Sequence, residues 1–140
     1  MKRHSTAVWS GTVKEGKGYL VSESKALDSM QYSYNSRFEN GTGTNPEELM
    51  AAAHAGCFTM QLSADLTKAG FTPEVIETKC AIVMKDGVIT KSQLSVKAKI
   101  PNIKEDEFKE AATKAKQNCP VSKAYKALEI SLEASLENKI

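Results

Sequence analysis

The stretch TNPEELMAAAHAGCFTMQLSADLTKAG, residues 44–70, decides the fold of this chain. Near its start lies Pro46, a residue favoured in the first turn of a helix, and its last residue is Gly70, a residue type favoured just after a helix. Between Leu49 and Leu62 its side chains are apolar nearly all round, and a helix without a wide polar face is usually buried. The pattern therefore predicts one long central helix that a sheet or a second subunit covers.

The segments around this helix read as strands and one further helix. Alternating or β-rich runs separated by glycine-containing turns predict strands, and a helical spacing of apolar residues predicts the second helix. We expect a hairpin over 6–22, a strand over Gln31–Phe38, a hairpin of strands 75–85 and 88–100 around Asp86–Gly87, a helix over Lys104–Asn118, a short helical turn over Val121–Tyr125 and a half-buried strand over 128–137. This order is typical of an α+β fold with antiparallel sheets around a central buried helix, in one domain over 1–140. So much apolar helix surface in a short chain also favours an obligate dimer.

Composition excludes several classes of protein. The net charge is only +2 and 17 of the 19 cationic residues are lysines, which argues against a nucleic-acid binder, since those usually rely on arginine. The first residues lack the apolar run of a signal peptide, and no stretch is apolar and long enough to span a bilayer. Three cysteines at wide spacing form no secreted disulfide framework and no zinc motif. We expect a soluble cytoplasmic protein that uses no metal or other cofactor and does not act at a membrane.

The three cysteines differ in their predicted surroundings. Cys57 lies in the middle of the long helix, Cys119 precedes Pro120 at a helix break, and Cys80 lies on the apolar face of a strand. Cys80 is predicted to be a core residue. Cys57 and Cys119 are either packing residues or a reactive pair, and the residues alone leave both interpretations open. A reactive Cys57 needs a nearby cation, because burial by itself raises a thiol pKa.

Arg37 is the candidate for that cation, and Glu47 is the candidate carboxylate to hold it. Glu47 could instead close a capping box with Thr44 as N-cap, or Asn45 could be the cap with Pro46 in the first helical position. Ten residues separate Glu47 from Cys57, which is about 15 Å along one helix. If both act in one site, we infer that Glu47 reaches Cys57 of a partner subunit.

His54 lies three residues before Cys57 and raises the question of a Cys–His nucleophilic pair. Residues three apart on a helix are poorly oriented for such a pair, and no third orienting group is evident. We therefore predict that His54 is a buried, hydrogen-bonded histidine.

Two motifs carry a resemblance to a known family. The run from Gly43 to Phe58 (GTNPEELMAAAHAGCF) and the run from Asn118 to Ser122 (NCPVS) resemble the signatures of the osmotically inducible protein C (OsmC) and organic hydroperoxide resistance family. The resemblance extends over essentially the whole chain. The position of Arg37, just ahead of the long helix, is similar to the OsmC branch, because the other branch carries its arginine nearer the N-terminus.

The resemblance implies a function and its residues. It places the peroxidatic cysteine at Cys57, the resolving cysteine at Cys119, the arginine at Arg37 and the glutamate at Glu47, in an intertwined homodimer with active sites at the interface. The implied reaction reduces organic hydroperoxides, and hydrogen peroxide more weakly, through a sulfenic acid at Cys57 and a Cys57–Cys119 disulfide. An external dithiol, possibly a lipoyl group, would reduce that disulfide. Two alternatives remain open: a non-catalytic binder of small apolar ligands, and a redox-sensing stress protein.

Overall fold

The computed structural model describes residues 1–137, and its helices and strands follow the predicted order closely. In chain order the elements are β1 (Ser5–Ser10), β2 (Lys17–Ser22), β3 (Met30–Tyr32), α1 (Tyr34–Phe38), α2 (Pro46–Lys68), β4 (Val75–Lys85), β5 (Val88–Lys99), α3 (Glu105–Asn118), α4 (Pro120–Ala124) and β6 (Glu129–Leu136). Helix α2 is the predicted long helix. Gly70 follows it with a left-handed backbone (φ +95°), the conformation that glycine adopts without strain after a helix.

The chain forms two compact units, one over Met1–Leu49 and one from Met50 onward. The first unit holds α1 and an antiparallel sheet of order β1–β2–β3, and its β1–β2 pair confirms the hairpin predicted over 6–22. The single domain predicted over 1–140 stays a prediction, and its residues 138–140 lie outside the described residues.

The strand predicted over Gln31–Phe38 is wrong in its second half, where the chain turns into helix α1. Two serines cause this change. The Ser33 Oγ accepts a hydrogen bond from the Ser36 N–H (3.2 Å), and the Ser36 Oγ accepts one from the Ser33 N–H (2.8 Å). This reciprocal capping box stabilises the start of a helix. Arg37 therefore lies on a helix and not on a strand.

The second unit holds a sheet of order β4–β5–β6. Strands β4 and β5 form the hairpin predicted at Asp86–Gly87, whose φ values of 53° and 77° suit a two-residue turn. Strands β5 and β6 pair in parallel, so the prediction of antiparallel sheets is wrong for this pair. A parallel pair needs a long crossover, and α3 and α4 provide it between these two strands. Strand β6 alternates exposed and half-buried residues, as predicted.

Helix α2 supplies one face to the core of the second unit. His54, Phe58, Leu62 and Leu66 recur every four residues and are at most 1% exposed. The three apolar residues of this set belong to a buried layer completed mainly by Leu94, Val96, Ala98, Ile100, Phe108, Ala112 and Ala115. On the other side of α2, Met60 is 77% exposed. Within this chain the burial predicted all round the helix holds for one face only, because a single sheet covers a single face.

The length and hydropathy of the helices bear on membrane insertion. Within the described part of the chain, no helix is both long and apolar enough to cross a bilayer.

Candidate active site

The first group of predicted site residues is an ion pair in the first unit. The Arg37 Nε donates to both Glu47 carboxylate oxygens (3.1 and 3.3 Å), and its Nη2 donates to Oε1 at 2.9 Å. The Glu47 side chain is 12% exposed and the Arg37 side chain 38% exposed. A charge-assisted, two-point contact of this kind fixes the plane of the guanidinium as well as its position. None of these contacts with Glu47 uses the Arg37 Nη1 group.

The loop between α1 and α2 brings these two charged residues together. The Ser36 Oγ donates to the Thr44 carbonyl oxygen at 2.8 Å, and the Asn45 Nδ2 donates to the Ser36 carbonyl oxygen at 3.0 Å. Because Arg37 follows Ser36 and Glu47 lies two residues after Asn45, these contacts place both side chains at one corner. The loop therefore positions the ion pair through bonds that involve neither charge.

The residue that caps helix α2 determines whether the Glu47 carboxylate is free to pair with Arg37. The Asn45 Oδ1 accepts a hydrogen bond from the Glu48 N–H at 2.7 Å, so Asn45 is the N-cap and Pro46 takes the first helical position. The alternative Thr44–Glu47 capping box is wrong, since the Thr44 hydroxyl donates to the Glu48 carboxylate instead (2.7 Å). Glu47 is thus available to Arg37, and it also lies in the first helical turn, where the helix dipole favours a carboxylate.

An aromatic cavity of about 200 Å³ lies beside Arg37 in the first unit. The Trp9 and Tyr32 rings contact each other with centroids 5.3 Å apart, and the Tyr34 and Phe38 rings at 5.1 Å. The Arg37 guanidinium carbon lies 5.1 Å from the Phe38 ring centroid, within the range of a cation–π contact. The cavity can accept an apolar group while the guanidinium binds a polar one next to it.

The second group of predicted site residues is the pair of cysteines in the second unit. The Cys57 and Cys119 thiols lie close enough to interact with each other, and both cysteines are free. Cys57 is half-buried on α2, whereas Cys119 is 0% exposed in the predicted break between α3 and α4. Two neighbouring free thiols can form a disulfide when their Cα atoms lie within roughly 7 Å of each other.

The surroundings of Cys57 in the second unit favour the protonated thiol. Burial raises the pKa of Cys57, and the hydrogen bond and negative charge of Cys119 raise it further, while a hydrogen bond from the Val121 N–H lowers it. None of these described groups is a cation. Activation of Cys57 at neutral pH therefore requires a positive charge in addition to them.

His54 is the buried, hydrogen-bonded histidine that was predicted. It is 0% exposed, with its Nδ1 2.6 Å from the Ser92 Oγ and its Nε2 2.8 Å from the Ser122 Oγ. Both ring nitrogens are directed at serines and neither at Cys57, which excludes the Cys–His pair. Burial lowers the pKa of His54, so the ring is neutral at pH 7 and donates through only one nitrogen.

Cys80 packs against the core, as predicted. Its Sγ lies 3.2 Å from the Ser92 Oγ, and burial raises the pKa of its thiol. A half-buried thiol of this kind is mostly protonated at neutral pH, and therefore unreactive.

The described residues thus bring Arg37 together with Glu47, and Cys57 together with Cys119. Sequence reasoning assigned no role to Ser122, although it belongs to the quoted motif after Cys119. It also missed the Val121 contact, because a backbone N–H carries no residue-specific signal.

The comparisons with known proteins agree with one another. Residues 39–133 match the family model described as OsmC-like protein. The chain is 46% identical over 137 residues, 94% of both chains, to "Peroxiredoxin OsmC" of Escherichia coli strain K12. It is 27% identical over 103 residues, 71% of this chain and 72% of the relative, to "Organic hydroperoxide resistance protein-like 2" of Staphylococcus epidermidis.

Solved structures show the same fold. The organic hydroperoxide resistance protein OhrB of Bacillus subtilis aligns with a TM-score of 0.67 at 24% identity, covering 94% of this chain and 98% of that one. An OsmC-like protein from Mycoplasma pneumoniae aligns with a TM-score of 0.73 at 17% identity, covering 97% of each chain. The fold and the sequence comparisons lead to the same conclusion: this chain belongs to the OsmC-like protein family.

Proposed function

We propose that this protein is a cysteine-based peroxidase that reduces organic hydroperoxides to alcohols with the electrons of a thiol reductant. The observation that carries this proposal is the proximity of the free thiols of Cys57 and Cys119, which are 62 residues apart in sequence. A pair of neighbouring thiols is what a cycle through a sulfenic acid and a disulfide requires. The 46% identity to a relative named as a peroxiredoxin supports the same chemistry.

The exposure of the two cysteines supports the order of reaction that we propose. Cys57 is half-buried, whereas Cys119 is fully buried, which favours Cys57 as the peroxidatic residue. Its thiolate attacks the distal oxygen of ROOH, the O–O bond breaks, and the alkoxide leaves as ROH after taking a proton. The Cys119 sulfur then attacks the Cys57 sulfenic acid, which forms the disulfide and releases water. A dithiol returns both cysteines to thiols by exchange and is itself oxidised.

Arg37 supplies the positive charge that Cys57 lacks in its own unit, and it does so from a second copy of the chain. The separation of Glu47 and Cys57 along the sequence supports this arrangement, as does the apolar exposed face of α2 around Met60, which a second copy would cover. Held by Glu47, the guanidinium stabilises the thiolate and the developing charge on the peroxide oxygens. The site is therefore complete only in a homodimer.

The aromatic cavity beside Arg37 determines the preference for organic peroxides. With the peroxide group on the guanidinium, the organic group lies against Trp9, Tyr34 and Phe38. Hydrogen peroxide has no apolar part to occupy this space, so it gains nothing from the aromatic rings.

Phe38→Ala tests that preference. We expect kcat/KM for cumene hydroperoxide to fall about fivefold, with hydrogen peroxide nearly unchanged, because only the organic substrate loses an apolar contact. Steady-state rates with both peroxides give the ratio, and Val75→Ala, another exposed apolar residue outside the cavity, is the control. An equal loss for both peroxides would mean that the cavity does not select the substrate.

The reductant is a dithiol, and a lipoyl group is our specific proposal. A dithiol that attacks the Cys57–Cys119 disulfide can close its own ring and release the enzyme without a second molecule. We also propose a cytoplasmic location, because three widely spaced cysteines do not form the disulfide framework typical of a small secreted protein.

The experiment that tests the function is consumption of cumene hydroperoxide by the wild-type chain with dihydrolipoamide. We expect many turnovers per subunit, and slower consumption of hydrogen peroxide. Thioredoxin with its reductase, in place of dihydrolipoamide, tests the choice of reductant. If no dithiol supports consumption of the peroxide, the alternative function as a binder of apolar ligands is favoured. If the cysteines are oxidised but do not turn over repeatedly, the alternative function as a redox sensor is favoured.

A further inference from the structure

A buried hydrogen bond links the two chain segments that carry the reactive cysteines. His54 precedes Cys57 by three residues on α2, and Ser122 follows Cys119 by three residues on α4. The His54 Nε2 and the Ser122 Oγ are 2.8 Å apart, and the two residues are 0% and 6% exposed. The contact therefore lies about one helical turn from each thiol and is shielded from water.

The other contacts of His54 orient its ring toward α4. The Ser92 Oγ on β5 lies 2.6 Å from Nδ1, so the ring is bonded on both sides. Tyr125, the residue that follows α4, packs edge-on against the imidazole with centroids 5.2 Å apart. The Tyr125 hydroxyl also donates to the Met50 carbonyl oxygen at 3.1 Å. The chain on both sides of Ser122 is thus tied to one side of α2.

Helix α4 needs such a contact because it is short and begins at the break where Cys119 lies. It has five residues, and Cys119 itself has a non-helical backbone (φ −59°, ψ 128°). A five-residue helix is not stable without tertiary contacts. The same segment supplies both the Cys119 thiol and the Val121 N–H that contact Cys57.

We propose that His54 and Ser122 are positioning residues for disulfide formation: their hydrogen bond holds α4 against α2 so that Cys119 stays on the Cys57 sulfur. This inference rests on the proposed peroxidase function. It gives the histidine of the AHAGCF motif and the serine of the CPVS motif a shared role.

The positioning role matters at the Cys57 sulfenic acid, which can react in two competing ways. At the Cys57 sulfenic acid, attack by the Cys119 sulfur forms the S–S bond, breaks the S–O bond and releases water. In the competing reaction a second hydroperoxide transfers an oxygen to the same sulfur, giving a sulfinic acid and another molecule of alcohol. The first reaction is intramolecular, so its rate depends on where α4 holds Cys119. The second depends on the peroxide concentration.

The test is the partition between disulfide and sulfinic acid in Ser122→Ala. We expect the rate of disulfide formation to fall about tenfold, as the positioned thiol loses its orientation. The sulfinic acid should then appear at correspondingly lower concentrations of cumene hydroperoxide. Samples are quenched with acid and alkylating agent and resolved by intact mass. Ser122→Thr, which keeps the hydroxyl, should restore the wild-type partition. His54→Leu removes the bond from the α2 side and should behave like Ser122→Ala.

Thr59→Val is the matched control. The Thr59 hydroxyl, two residues after Cys57 on α2, lies 2.7 Å from the Thr78 hydroxyl on β4, so this variant loses an equally short contact that does not involve α4. We expect it to lower the melting temperature and leave the partition at the wild-type value.

Three outcomes would overturn the proposal. An unchanged partition in folded Ser122→Ala or His54→Leu would do so, as would an equal change in Thr59→Val. A wild-type chain that forms no disulfide with peroxide would reject the proposed function, and the positioning role with it.

Discussion

Replacing Cys57 by serine is expected to reduce the turnover of cumene hydroperoxide about 1,000-fold or more, because the nucleophile that accepts the peroxide oxygen is lost. Cys57 is the less buried of the two neighbouring thiols, and a serine hydroxyl neither ionises at neutral pH nor forms a stable sulfenic acid equivalent. Peroxide consumption with dihydrolipoamide gives the rate. Substantial turnover in Cys57→Ser would contradict the assignment.

Cys119→Ser should give a different result from the same assay. The Cys57 thiolate is retained, so one equivalent of peroxide is consumed, but no intramolecular disulfide forms and the sulfenic acid remains or is oxidised further. A trap for sulfenic acids and intact mass distinguish this variant from Cys57→Ser. Cys80→Ala is the control among the three cysteines, since Cys80 packs against the core, and its turnover should stay near the wild-type value.

Arg37→Ala is expected to reduce kcat/KM about 100-fold, the loss typical of removing one group that stabilises charge in a transition state. The same substitution should also shift the pH dependence of Cys57 reactivity in a definite direction. Without the guanidinium, burial and Cys119 keep the pKa of the Cys57 thiol above its ordinary value. The thiolate then forms only at higher pH. The pH at which Cys57 alkylation reaches half its maximal rate should therefore be higher in Arg37→Ala than in wild type. The absorbance of the thiolate checks the same shift directly.

Two further variants separate charge from geometry at this position. Arg37→Lys keeps the positive charge but loses the two-point contact with Glu47, so it should restore the pH profile more than the rate. Glu47→Gln keeps the charge on Arg37 and weakens its orientation, with an expected loss of about tenfold. An Arg37→Ala chain with the wild-type pH profile would mean that another group activates Cys57.

Mixed dimers decide whether the arginine comes from a second copy. An Arg37→Ala chain and a Cys57→Ser chain are each expected to have low activity alone. If Arg37 acts across the dimer, co-folding the two chains creates one site with both residues intact, and activity returns. If Arg37 acts within its own chain, every site lacks one of the two residues, and activity stays low.

Local signals predicted most of the secondary structure. Pro46 and Gly70 bounded α2, and Asp86–Gly87 marked the β4–β5 hairpin, because such residues favour particular backbone conformations whatever surrounds them. The failure at Gln31–Phe38 was also local. Ser33 and Ser36 form a capping box without the usual glutamate or glutamine, and the aromatic residues between and around them suggested a strand.

The sequence by itself determined the candidate residues and their family. The two motifs around Cys57 and Cys119, and the position of Arg37 just ahead of the long helix, were sufficient to name all four predicted site residues. Residue type and spacing along a chain are local properties, so a pattern of them is readable without a structure.

Only the tertiary structure decided how these residues meet. Cys57 and Cys119 come into contact because α2 and α3 pack on one core, and Ser92 and Ser122 reach His54 from segments 38 and 68 residues away. The parallel pairing of β5 with β6 likewise joins segments that are distant in sequence. Such contacts follow from the packing of distant apolar faces, which no local pattern encodes.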